Sequence, residues 1–288
     1  MPLRFPVLSG LMVAGLFGAA GYALHNAPAP VSPAPGPVLP AHAACVSVLS
    51  PDTQAITVNS GADIHAPACA VIVASTARPA AIVNAGTTLD TAGICIASHQ
   101  VISHSTGLPA PDLGCTTPAP SPKISAPAVG PCTVSHQAYD GTDITLRPGT
   151  YCGSVSFNNA QARVTFEPGL YVIKGGDWTV DGSTWSGRDV TFYFADSSKI
   201  QFNSGVSVDL SAPASGPYAR VLMFEAPGLS PSPVIFNDAR AMHLDGAVWL
   251  PSRDTTFNSG SKLDSDGLML GVRSLRLDQT MWHIRPLS

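Results

Sequence analysis

Short segments in which apolar and polar residues alternate run through the chain from Val155 onward. Val155-Ser156-Phe157, Val164-Thr165-Phe166, Ile200-Gln201-Phe202 and Val206-Ser207-Val208-Asp209-Leu210 have the period of two of half-buried strands. The runs 190–194, 221–224 and 247–250 are continuously apolar, which predicts strands covered on both sides where the Pro-rich loop or a longer insertion packs. No segment carries sustained helical periodicity. Leu146-Arg147-Pro148-Gly149-Thr150-Tyr151 returns 20 residues later as Phe166-Glu167-Pro168-Gly169-Leu170-Tyr171, with the Pro-Gly of a type II turn before each strand.

A second phrase recurs more widely: an apolar residue, Asn, then small residues. Its copies are Val58-Asn59-Ser60-Gly61, Val83-Asn84-Ala85-Gly86, Phe157-Asn158-Asn159-Ala160, Phe202-Asn203-Ser204-Gly205, Phe236-Asn237-Asp238-Ala239 and Phe257-Asn258-Ser259-Gly260. With the looser Val180-Asp181-Gly182-Ser183, successive copies lie 25, 74, 23, 22, 34 and 21 residues apart. Spacings near one or a few multiples of about 20 to 25 residues signal a stacked solenoid, each copy being one corner of a coil. The apolar residue would point into the stack. Asn or Gly would take the left-handed backbone of the corner, and stacked Asn side chains would hydrogen-bond to neighbouring backbone. Hairpin turns in a β-sandwich are the alternative. The expected fold is all-β, a right-handed parallel β-helix of about nine coils over residues 45–288, at roughly 23 residues per coil.

Residues 5–24 hold no charge and are mostly apolar, long enough as a helix of about 30 Å to cross a bilayer. Residues 1–25 are therefore expected to be a membrane anchor, with Arg4 on the inner side, or a signal segment cleaved after Gly21-Tyr22-Ala23. Residues 26–44, with six prolines, read as an extended stalk, and residues 107–131, with seven more, as an ordered loop within the β-helix. All six cysteines, Cys45, Cys69, Cys95, Cys115, Cys132 and Cys152, precede residue 153. In an exported chain an even count reads as three disulfides, and sequential pairing would staple each coil to the next. No Cys-x-x-Cys spacing supports zinc.

Charged residues make up 12% of the chain and the net charge is -4, which leaves no basic stripe for nucleic acid. Carboxylate chemistry on polysaccharides needs a clustered pair. The two glutamates are Glu167, in a turn, and Glu225, beside Pro227-Gly228; Asp264, Asp266 and Asp278 form the best available acidic group. The histidines beyond the stalk (His65, His99, His104, His136, His243, His283) show no convergent metal spacing. No catalytic residue, metal site or cofactor is assigned. Trp178, Trp185 and Trp249 are the candidates for stacking on a surface glycan.

The run 146–176, LRPGTYCGSVSFNNAQARVTFEPGLYVIKGG, resembles a region of bacterial proteins related to the TadE/TadG group of tight-adherence (Flp-type) pilus assembly proteins. VTFYF at 190–194, LSAPASGPY at 210–218, LDGAVWLP at 244–251 and APAVGPC at 126–132 extend the likeness, and AGLFGAAGYALH at 14–25 is similar to the end of that group's membrane segment. The resemblance implies one membrane segment, an extracytoplasmic portion, envelope or pilus proteins as partners, and a role in assembling or anchoring surface pili. The Asp-x-Ser-x-Ser metal site of the fuller relatives' von Willebrand type A domain is absent, since 181–185 and 196–200 both break the pattern. The expected function is thus a non-enzymatic structural protein of a bacterial surface, either in the periplasm on the inner membrane or at the cell surface. A glycan-binding adhesin is the alternative, and a polysaccharide lyase or hydrolase a more distant one.

Overall fold

The computed structural model describes residues 43–287; the anchor or signal segment 5–24 and nearly all of the stalk lie outside them. Among the described residues every secondary-structure element is a strand, the strands pair in parallel, and they form a β-solenoid of about 11 turns. The turn number exceeds the nine expected because many coils are short. Neighbouring coils are offset by as few as 17 residues, Val134 to Tyr151, and by 34 where a loop is inserted, Ser207 to Ala241.

Each full coil places one strand on each of three faces. The first face runs through Asp143–Leu146, Arg163–Phe166, Thr184–Gly187, Ser207–Ser211, 241–244, 262–265, Met281–Pro286, 63–66 and 88–91. The second carries Val134–Ser135, Gly149–Cys152, Gly169–Lys174, Val190–Phe194, Val221–Glu225, 247–250, 268–272, Ala44–Val48, 70–73, 93–96 and Asp112–Leu113. The third begins at Ala138–Tyr139 and ends at Val101–Ser103.

The order of coils in space is not their order in the chain. The described chain starts in mid-stack at Ala44–Val48, runs to one end at Asp112–Leu113, crosses to the opposite end at Val134–Ser135, and returns coil by coil. Its last strand, Met281–Pro286, then meets its first. Met281–Pro286 on the first face, Ala44–Val48 on the second and Ile56–Val58 on the third make one composite coil, stacked between 262–277 and 63–83.

The Pro-rich stretch makes the crossing. Residues 114–131, without strand or helix, connect the two ends of an eleven-strand face. Ten spacings of about 4.8 Å come to about 48 Å. Eighteen residues of polyproline conformation at about 3.1 Å each reach about 56 Å, so proline supplies the needed extension. It runs as a strap across the solenoid. Both of its ends are stapled, Cys115 to Cys95 and Cys132 to Cys152, while Cys45–Cys69 joins neighbouring coils. Ile124 of the strap packs against Val172, Tyr193, Val221 and Phe224 on the outer side of the second face. That is why 190–194 and 221–224 lack alternation: their outer side chains are buried too.

The recurring phrase forms two ladders at one corner. Its apolar member stacks inside as Tyr139, Phe157, Val180, Phe202, Phe236, Phe257, Leu277, Val58 and Val83. Phe236 and Phe257 lie face to face with ring centroids 4.3 Å apart. Asn203, Asn237 and Asn258 follow as strand ends and Asn59, Asn84 and Asn158 stand one residue past them; Asn84 Nδ2 donates to Asn59 Oδ1 at 2.9 Å, and Asn158 Nδ2 to Asp140 Oδ1 at 2.9 Å. The left-handed backbone expected of Asn falls instead on the next one or two residues, as at Gly61, Gly86, Gly182, Ser204, Gly205, Asp238, Ser259 and Gly260. At Asn84 and Asn158 the amide is bonded from coil to coil, and the turn is left to the residues that follow.

Candidate functional site

On the outer side of the first face, strand register lines up Asp209, His243, Asp264, His283, His65 and Asp90 on six successive coils. Parallel pairing puts such neighbours about 4.8 Å apart. Two residues further along the same coils come Asp245, Asp266 and Arg285. The pairing shifts register between His243 and Gly246, between Ser265 and Leu268, and between Ala66 and Ala70. Three irregularities on coils of one corner bend the sheet there, as bulges do. They border an open groove of about 640 Å³ lined by His65, His243, Asp264, Asp266, His283 and Arg285.

The groove's side chains are held in pairs. His65 Nδ1 lies 2.7 Å from Asp90 Oδ2, His283 Nδ1 3.4 Å from Asp264 Oδ1, and His243 Nε2 2.9 Å from Asp245 Oδ2. Arg285 Nη1 donates to Asp266 Oδ1 at 3.1 Å, and the His65 and His283 ring centroids are 5.9 Å apart. Asp245 is the most constrained carboxylate. Its Oδ1 accepts from the Ser265 hydroxyl at 3.0 Å and from the amides of Asp266 at 2.9 Å and Gly267 at 3.3 Å. His243, Asp245 and Asp266 each offer one ligand atom, all within 4.8 Å of one another, so among the described residues these three form a group that could hold a metal ion.

The structure therefore gathers His65, His243, Asp264, Asp266 and His283, which the sequence offered separately, as an acidic group and as histidines without convergent spacing. His243, Asp264 and His283 lie on three successive coils of the chain, and only the composite coil brings His65, 218 positions from His283, beside them. Asp278 does not join this group: it occupies the Asn position of the corner ladder after Leu277. His99 and His104 flank Val101–Ser103, and His136 follows Val134–Ser135, at the two ends of the stack. Glu167 is partly exposed and 3.6 Å from Arg147. Glu225 is buried, with Oε2 2.6 Å from Arg253 Nε. Trp178 and Trp185 are wholly buried in the core, which removes them as sugar-stacking surfaces, and Trp249 packs partly buried in the cluster that Ile124 covers. No protein-family model matches the chain, and no curated protein or solved structure matches it.

Proposed function

We propose that this chain is a non-enzymatic structural protein of a bacterial surface, with a right-handed solenoid acting as the rigid body of a pilus-assembly or pilus-anchoring component. The observation that carries the reading is the strap stapled by disulfides to both ends of the stack. Such bridges persist in oxidising, extracytoplasmic compartments. Stapled ends resist the unzipping to which stacked repeats are otherwise open. The right-handed sense follows the strong preference of parallel crossover connections. A structural role also agrees with the two glutamates, one locked to a buried arginine and one in an exposed turn ion pair. The pilus assignment rests on the resemblance of residues 146–176.

Deleting the gene and scoring surface pili by electron microscopy tests it, with complementation by the full chain or by residues 45–288 behind a cleavable signal. Loss of pili restored only by the full chain is the expected result for an anchored component. Unchanged pili would overturn the assignment. The second reading, a surface protein that binds a glycan, is favoured by the His/Asp groove, which offers polar recognition in place of aromatic stacking. Binding of labelled glycans, lost on substituting His65 and His283, would favour it.

A further inference from the structure

We infer that His243, Asp245 and Asp266 bind one divalent transition-metal ion of the zinc class in the first-face groove. The inference does not depend on the structural role proposed above. Its starting point is the geometry of three ligand atoms from two neighbouring coils lying within 4.8 Å of one another. His243 Nε2 and Asp245 Oδ2 lie 2.9 Å apart, at hydrogen-bond distance, so an ion between them would take the place of a bridging proton. An ion with bonds of about 2.0 to 2.2 Å replaces that proton if the two atoms open to about 3.3 Å, the edge of a tetrahedral site. Asp266 is two residues beyond the Asp264 that pairs with His243, so it lies across from Asp245 on the same outer side.

Two further features suit an ion. Asp245 Oδ1 is held by two backbone amides and the Ser265 hydroxyl, which orients the carboxylate and leaves Oδ2 for coordination. The groove beyond, at about 640 Å³, has room for a fourth ligand from water or from a bound partner. An imidazole nitrogen with two carboxylate oxygens selects zinc, nickel or cobalt over magnesium and calcium, which prefer all-oxygen sites. Arg285 competes, because its guanidinium sits 3.1 Å from Asp266 Oδ1 and would be repelled by the incoming charge.

The test is calorimetric titration of the full chain, disulfides intact and stripped with chelator, with zinc chloride, alongside visible absorption with cobalt chloride. One equivalent of zinc should bind, with a cobalt spectrum showing nitrogen coordination. His243→Ala and Asp266→Asn should each weaken binding about 100-fold, Arg285→Gln should strengthen it, and His104→Ala should leave it unchanged. Circular dichroism of each variant separates loss of a ligand from loss of fold. The absence of stoichiometric binding, binding that survives His243→Ala and Asp266→Asn in folded protein, or weaker binding in Arg285→Gln would each overturn the proposal.

Discussion

Arg253 shows how single residues hold the corners. It is 1% exposed, yet every arm of its guanidinium is used. Nε donates to Glu225, Nη1 to the Ser197 carbonyl and the Ser232 hydroxyl at 2.7 Å each, and Nη2 to the Asp196 carbonyl at 2.7 Å. Glu225 Oε1 in turn accepts from the amide and hydroxyl of Ser252. Removing one partner of such a pair strands a buried charge. Arg253→Met should therefore lower stability by about 3 to 5 kcal/mol in urea unfolding, and Arg253→Met with Glu225→Gln by less than either effect predicts separately. Asp196 belongs to the same corner. Burial alone would raise its pKa, but hydrogen bonds from Ser198 and the Gly175 amide, with Arg253 nearby, win and lower it below the ordinary aspartate value. A depressed folded pKa gives stability that is present above the unfolded value and lost as pH falls through the folded one. Asp196→Asn should thus destabilise by about 1 kcal/mol at neutral pH and make unfolding less steep in acid below about pH 4, which thermal melts across pH would read.

At the scale of elements, the strands of the second half were legible from alternation because each has one buried and one exposed side. Residues 190–194 and 221–224 broke that alternation, and the break carried information, since a strand without a polar side needs a second cover. Sequence left that cover as the Pro-rich loop or an insertion. The loop's own composition said only that it is extended, not where it lies, because polyproline has no internal hydrogen bonds to fix its course. Two bridges and the packing of Ile124 fix it. Cys132→Ser with Cys152→Ser should cost about 2 to 4 kcal/mol by freeing a 20-residue closure. It should also open the strap to trypsin at Lys123, seen as a nick that the oxidised parent resists. Equal trypsin resistance in the two proteins would mean that side-chain packing alone holds the strap.

At the scale of the whole molecule, the composite coil is the decisive feature. Met281–Pro286 ends on the first face where Ala44–Val48 begins the second, so the two ends of the described chain are consecutive within one turn. A circular permutant joining 287 to 43 by a short linker, with new termini in the strap at 120 and 121, should fold with the parent's β-rich circular dichroism. Removing residues 281–288 should instead leave the first-face edges of 262–265 and 63–66 unpaired, and expose the junction to proteolysis. The same feature explains why part of the groove was illegible: His65 and Asp90 reach it only through this closure, while His243, Asp245, Asp264, Asp266 and His283 come from three successive coils of the chain.

The amino-acid sequence by itself determined the all-β class, the coil length, the position of the corners and the covered strands, because alternation and turn chemistry act over a few residues. The tertiary structure alone decided the order of the coils, the path of the strap and the His/Asp groove. Open strand edges take whichever partner completes their hydrogen bonds and buries the core, and those partners are set by the closed stack, not by neighbours in sequence.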